Sequence, residues 1–503
     1  MTPTPRLTID GRSLTLHDLR EVAEGRATVS LDAAARDRMN ASRAVVDGIV
    51  ASGAAVYGVT TGFGKMSDVR IPPGKLAELQ VNLVRSHVTG VGAPLPKREV
   101  RAMMLLRANV LAAGFSGARP ALVEQLLAML NADLWPPVPE QGSVGASGDL
   151  APLAHLALSV IGEGDLHQGE SRMPAAKALA AAGISPATLA SKEGLALING
   201  TQAHTGVTSL AALDAFTLWE TAQVAGALTL DALLGTPDAF DDRIHAARGQ
   251  AGQREAAERL RRLLDGSAIR ESHRSGDPRV QDAYALRCMP QVHGPALDAI
   301  RFAEGILARE VNAATDNPLV FSDGTLLSGG NFHGQAGALA ADVLAIALTN
   351  LATMSERRID RLVHPEMNEG LPPFLAHEPG LHSGYMMAQV TAAALASECK
   401  TLAHPASVDT IPTDGGKEDV VPMAMGAAIK LRRVVRNVTN VLAIELMCGA
   451  QALEGRRPLT SSPPIEDVVR RIRALVPRLE ADRVVAPDIA TLADAIGTGR
   501  FIA

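Results

Sequence analysis

Three observations predict an all-α protein, a long central helical bundle. Of the 503 residues, 47% are apolar but only 3% aromatic. A core with so few large rings must close by bringing backbones near one another, which alanine- and leucine-rich helices do better than strands. Proline, which breaks helix interiors, is missing from three long tracts, between Pro186 and Pro237, Pro318 and Pro365, and Pro422 and Pro458. In the last tract Leu431, Val434, Val435, Val438, Val441 and Leu442 recur at helical spacing, with Arg432, Arg433, Arg436 and Asn437 between them. That pattern is a helix with one buried stripe.

Taken in order, residues 1–110 hold shorter elements and a run of glycines from Gly58 through Gly62 and Gly64 to Gly90 and Gly92, so this region is expected to be loop-rich. Residues 111–503 are expected to form an elongated helical-bundle domain, because three tracts of this length resist division into small domains. The stretch Ala336–Met354 is apolar but carries Asp342, Thr349 and Asn350, which makes it a buried helix rather than a membrane span. After Pro458–Pro464 the charged segment from about residue 465 is expected to be a peripheral helical tail.

A net charge of -6 provides no electrostatic footprint for nucleic acid or an anionic membrane, so neither is an expected partner. Pro3, Thr4 and Pro5 interrupt the place where a secretory leader needs an apolar core. The three cysteines, Cys288, Cys399 and Cys448, have neither disulfide-framework nor zinc-ligand spacing. Both features fit a reducing, cytoplasmic setting.

Familiar cofactor signatures fail on inspection. Gly64-Lys65 and Gly416-Lys417 lack the upstream glycine and following hydroxyl residue of a phosphate loop, and Gly90-Val91-Gly92 meets Leu95 where a dinucleotide fingerprint needs glycine. The thirteen histidines include no His-Glu-x-x-His pair, so no metal site is expected. Gly145-Ala146-Ser147-Gly148-Asp149 ends in aspartate where a hydrolase nucleophile elbow needs glycine.

The same segment suits another chemistry. In Ala146-Ser147-Gly148 the Gly148 amide nitrogen can attack the Ala146 carbonyl carbon, and two dehydrations then leave an exocyclic methylene derived from Ser147. Only very small residues allow so close a backbone approach. The tripeptide alone is weak evidence, because Ala51-Ser52-Gly53 repeats it. The wider sequence carries more: Tyr57-Gly58-Val59-Thr60-Thr61-Gly62-Phe63-Gly64, Asn82 to His87, Glu193 to Gln202, Gln281-Asp282 with Tyr284, Arg287 and Cys288, Gly329 to His333, and Glu418-Asp419 follow in order. From Tyr57 to Met423 the chain resembles the histidine and aromatic amino acid ammonia-lyase family.

The resemblance implies an ammonia-lyase/fumarase-like architecture, a covalent methylidene-imidazolone self-derived from Ala146, Ser147 and Gly148, no metal or nucleotide, and a homotetramer whose sites draw on several subunits. By the same resemblance Tyr57 is the catalytic base, Arg287 binds the substrate carboxylate as a planar fork, Asn199 hydrogen-bonds the prosthetic group or substrate amine, and Phe332 packs beside it. Gln281, Tyr284 and Arg287 recur every third residue, so one turn could aim them together. Ser86-His87 looks like the pair of histidine-specific members. An imidazole can pair with His87 and the Glu418 carboxylate, whereas a phenyl ring would leave both unpaired. L-Histidine, giving trans-urocanate, is therefore the expected substrate. Lys417, where histidine-specific members usually carry glutamine, and Met289 depart from that pattern, as does His333-Gly334-Gln335. A charged pair of Lys417 with Glu418 would alter the pocket wall, which keeps open a tyrosine or phenylalanine ammonia-lyase, an aminomutase, or a lyase on a modified histidine. A catalytically silent helical protein is disfavoured by the intact tripeptide with Tyr57.

Overall fold

The computed structural model describes residues 5–502; Met1–Thr4, on which part of the leader argument rests, and Ala503 lie outside it. Nineteen α-helices occur among the described residues. The three proline-free tracts contain the longest: Gln202–Ala232, Gln335–Val363 and Ala424–Glu454. Leu431, Val434, Val438, Val441 and Leu442 are buried as their spacing predicts. Asn437, expected on the polar face, is also buried, because the Glu398 carboxylate accepts its side-chain amide at 2.8 Å. The Gln335–Val363 helix is long and apolar enough to cross a membrane by length and composition, yet 61% of its most apolar window is buried within the protein. That is the pattern of a core helix.

Proline is a weaker divider than the sequence suggests. Met289–Glu310 runs through Pro295. The missing backbone hydrogen bond and the ring clash cost about 3 kcal/mol in an isolated helix. Here the fully buried Met289, Leu297 and Ile300 on either side offset that cost.

The chain divides into two compact units. The first comprises residues 1–210, 304–342 and 405–429. At its centre the helix Lys97–Ala112 is buried from Glu99 onward, so its polar residues must find partners inside the protein. The Arg101 guanidinium donates to the Val22 and Leu130 carbonyls, and Asn109 donates to the Val311 carbonyl while accepting the Gly11 amide. All the described strands belong to this unit, in small sheets that the helical periodicity does not predict. Arg6–Ile9 pairs parallel with Thr28–Leu31, and Val91–Pro94 pairs antiparallel with Pro139–Gln141. Asp165–Gln168 lies between Leu134–Trp135 and Ser171–Pro174, and Leu319–Val320 pairs with Leu326–Leu327.

The second unit comprises residues 211–303, 343–404 and 430–503. Its interior holds an ion pair between Arg358 and Glu445, both with fully buried side chains, and the Glu445 carboxylate also accepts the Ser355 and Thr229 hydroxyls. The tail expected to be peripheral buries Ile465, Val468, Val469 and Ile472 of the helix Pro463–Arg473, and Phe501 beyond it is fully buried.

Candidate active site

The two Ala-Ser-Gly tripeptides fold differently. Ala51 and Ser52 close the helix Ala33–Ser52, and Gly53 caps it in the left-handed conformation. Ala146-Ser147-Gly148 instead lies in a bend between the strand Pro139–Gln141 and the helix Leu150–Val160. Gly148 has φ +74°, and a β-carbon there would fall on the backbone of Gly200. The two glycines form a parallel bridge, and the Asp149 amide donates to the Gly200 carbonyl at 2.8 Å. Gly148 is thus crowded by a second backbone segment, whereas a β-carbon on Gly53 would meet only the Arg70 side chain.

Two side chains converge on Ser147. Its hydroxyl donates to one oxygen of the Glu418 carboxylate, whose other oxygen accepts from Thr413. Asn199 donates its amide to the Ser147 carbonyl at 2.8 Å. Asn199 is buried, and its own carbonyl oxygen, Oδ1, has no protein donor. A buried acceptor of this kind carries a desolvation cost until a donor arrives.

Asn199 is held from behind by a residue that sequence reasoning passed over. Arg107, fully buried, donates to the Ala196 and Asn199 carbonyls at 2.6 and 3.0 Å and to the Gln202 side chain. Burial lowers its pKa to about 10, while the Asp316 and Asp149 charges act in the opposite direction. The arginine therefore stays charged near neutral pH. An arginine set within the apolar run Ala102–Ala112 was the available clue. Asp149 and His204 were also missed. One Asp149 oxygen accepts both the backbone amide and Nδ1 of His204 at 2.8 Å, and the other accepts the Ser143 hydroxyl. Burial opposes charge on each, but their mutual attraction and hydrogen bonds hold Asp149 below and His204 above their ordinary values. Adjacency to the tripeptide was the clue for Asp149.

Tyr57 sits half-buried in a turn that is tied down on both sides. Val59 packs fully buried against Val46 and Val320, the Thr60 hydroxyl accepts the Val56 amide and donates to the Ala54 carbonyl, and the Gly62 amide reaches Val69. Burial raises the Tyr57 phenol pKa; the Gly64 amide hydrogen bond opposes this, and the negative charges of Asp414, Asp316 and Glu418 add to the rise. The turn lies between the helices Ala33–Ser52 and Leu76–His87.

Ser86 and His87 end the helix Leu76–His87. His87 Nδ1 lies 2.8 Å from the Leu83 carbonyl. A carbonyl only accepts, so Nδ1 carries the proton, and in the neutral ring Nε2 is left as an acceptor. The Ser86 hydroxyl donates to the same carbonyl. Phe332 is half-buried in a turn held by hydrogen bonds from Asn331 to the Ala314 carbonyl and between His333 Nε2 and the Val420 carbonyl. Lys417 is exposed, and no ion pair joins it to Glu418 among the described residues. Glu418 takes hydroxyl donors instead.

Gln281, Tyr284 and Arg287 belong to the second unit. The single turn expected to align them is shorter than that: Tyr284–Arg287 is helical, and Gln281 precedes it. The Arg287 guanidinium lies over the Tyr284 ring, 4.7 Å from its centroid, and Tyr284 is 70% exposed. Cys288 is partly buried and, like Cys399 and Cys448, is a free thiol.

Residues 14–474 match the family described as aromatic amino acid lyase. A histidine ammonia-lyase of Anaeromyxobacter dehalogenans (strain 2CP-C) is 55% identical over 502 residues, covering 98% of this chain and 99% of that protein. The crystal structure of histidine ammonia-lyase from Trypanosoma cruzi superposes with a TM-score of 0.92 at 43% identity, over 99% of this chain and 94% of that one. A tyrosine aminomutase from Streptomyces globisporus superposes with a TM-score of 0.94 at 39% identity, over 99% and 97%.

Proposed function

The chain belongs to the aromatic amino acid lyase family, and from that membership we propose that this carbon–nitrogen lyase eliminates ammonia from L-histidine to give trans-urocanate. The observation that carries the reading is the convergence of Asn199 and Glu418 on Ser147, with Asn199 Oδ1 buried and waiting for a donor. A substrate ammonium is such a donor. The 55% identity to a histidine ammonia-lyase supports the choice of histidine.

The cramped backbone of Gly148 against Gly200 and the Asn199 amide on the Ser147 carbonyl fit a methylidene-imidazolone formed from Ala146, Ser147 and Gly148. Once formed, that group would supply an electrophilic methylene, which makes the substrate amine a better leaving group if the amine adds to it and acidifies the β-proton if the aromatic ring does. The remaining tasks fall to ordinary side chains. Tyr57 takes the β-proton at its phenolic oxygen, and its raised pKa makes the phenolate a strong base once it is formed. Asn199 orients the amine. Arg287 holds the carboxylate through two parallel hydrogen bonds, contributed by another subunit of a homotetramer. An imidazolium side chain can donate one N–H to His87 Nε2 and the other to the Glu418 carboxylate, and a phenyl ring would leave both acceptors without partners.

Incubation of the protein with L-histidine, L-tyrosine and L-phenylalanine tests this reading. The expected result is a rise in ultraviolet absorbance from trans-urocanate with histidine and little turnover of the others. Ready elimination from tyrosine would overturn the histidine assignment and make Lys417 the better marker of specificity. A β-amino acid product would establish the aminomutase alternative, which the likeness to a tyrosine aminomutase keeps in view.

A further inference from the structure

The base loop and the Ser147 site are joined by one tight hairpin. Thr413 and Glu418 pair as a two-residue ladder, with the Thr413 amide donating to the Glu418 carbonyl at 2.9 Å. Between them Asp414, Gly415 and Gly416 all take positive φ, at +49°, +61° and +85°. Glycine adopts that region freely, and aspartate and asparagine are among the few other residues that tolerate it. The turn thereby directs two carboxylates apart. Glu418 faces the Ser147 hydroxyl, and Asp414 faces the loop that carries Tyr57.

The second contact is close. The Lys65 amide donates to Asp414 Oδ1 at 3.3 Å, and a β-carbon on Gly64 would collide with both carboxylate oxygens. The Lys65 side-chain stem lies against Gly415. Gly64 lies in the same ordered turn sequence as Tyr57, seven residues on, after Val59, Thr60 and Gly62 have fixed the backbone between them. Asp414 therefore ties the far end of the segment that carries Tyr57 to the hairpin that carries Glu418. Val59 anchors the near side of the loop in a buried apolar contact and Phe63 packs against the core, whereas Lys65 beyond them is exposed and meets the hairpin through its backbone amide.

We propose that Asp414 is a positioning residue, a latch that holds the Tyr57 loop against the Thr413–Glu418 hairpin and so keeps the base and the Ser147 site in register. The kinetic part of this proposal rests on the lyase reading above; the latch itself does not.

Deuterium exchange of the full-length protein across residues 57–70, with steady-state kinetics on L-histidine, tests it. Asp414→Gly keeps the left-handed backbone and removes the carboxylate. Its exchange across 57–70 is expected to run about fivefold faster than wild type, the loss of roughly one hydrogen bond. Its kcat is expected to fall about tenfold, with KM changed less than about twofold, because the base and not the binding groups is misplaced. Asp414→Asn keeps both the backbone preference and an acceptor oxygen, and is expected to restore slow exchange. Lys65→Pro removes the amide from the opposite side and is expected to loosen the same segment, which keeps the test decisive if Asp414→Gly does not fold. Unchanged exchange in Asp414→Gly and Lys65→Pro would overturn the latch, as would an Asp414→Asn protein as loose as Asp414→Gly. Faster exchange with unchanged kcat would overturn the positioning role. Wild-type protein that turns over no amino acid would bring down the lyase reading instead, and the exchange comparison would still decide the latch.

Discussion

Ser147 and Ser52 occupy the same tripeptide, and what separates them is the backbone around each. Ser147→Ala is expected to abolish most turnover while leaving the helical fold intact, because it removes the source of the methylene and little volume. Wild-type protein should have an intact mass two waters below that of its sequence, and the variant should not. Ser52→Ala, at the end of a helix, should be nearly silent in both measurements. Equal behaviour of the two variants would refute the choice of site. A second residue-scale expectation concerns Asp149 and His204. His204 has its pKa raised from 6.5, so its contribution to stability is full below that value and is lost as pH rises through the raised pKa. Asp149 has its pKa lowered from 3.8, so its contribution is full above that value and is lost as pH falls through the lowered pKa. The pair therefore stabilises most between these two ordinary values. His204→Phe leaves a buried carboxylate without its cation and should cost about 3 kcal/mol. Thermal denaturation of both proteins across pH checks this, with the largest gap in Tm expected in that window.

Among the elements, two long helices of the second unit share a charge pair inside the core. Arg358 on Gln335–Val363 and Glu445 on Ala424–Glu454 have fully buried side chains, and the carboxylate takes the Ser355 and Thr229 hydroxyls as well. Glu445→Gln leaves the guanidinium without a counter-charge and is expected to lower the unfolding free energy by about 3 kcal/mol, measured by urea denaturation. A loss below about 1 kcal/mol would mean that the arginine finds another partner. The helices themselves were legible from periodicity and proline spacing, because a 3.6-residue repeat is a local property of the chain. Pro295 was the exception, since the helix continues through it with its own Met289, Leu297 and Ile300 buried on either side. The short strands were not legible, since two to four residues carry too little alternation to register as a pattern.

For the whole molecule, the first unit holds Tyr57, His87, Ser147, Asn199 and Glu418, and the second holds Gln281, Tyr284 and Arg287. If a homotetramer builds each site from several chains, two inactive variants can complement each other. Co-expression of Ser147→Ala with Arg287→Ala is expected to restore a fraction of wild-type activity, because mixed tetramers contain sites that draw the intact serine and the intact arginine from different subunits. Separately purified variants should stay inactive. No recovery in mixed oligomers would show that Ser147 and Arg287 act within one chain.

By itself the sequence determined the long helices and, through motif order, the family, and it supplied the residues on which the chemistry proposed for Ala146-Ser147-Gly148 rests. These follow from local propensity, from the small size of three consecutive residues, and from motifs that survive in order along the chain. Only the tertiary structure decided which Ala-Ser-Gly is crowded by a second backbone segment, that Glu418 meets a serine 271 residues away, and that Arg107, Asp149 and His204 surround Asn199 and Ser147 from inside the protein. It also replaced the expected Lys417–Glu418 pair with hydroxyl contacts and placed Asp414 against the base loop. Each of these depends on loops and buried charges brought together from distant segments, and no local pattern in a single chain encodes such a meeting.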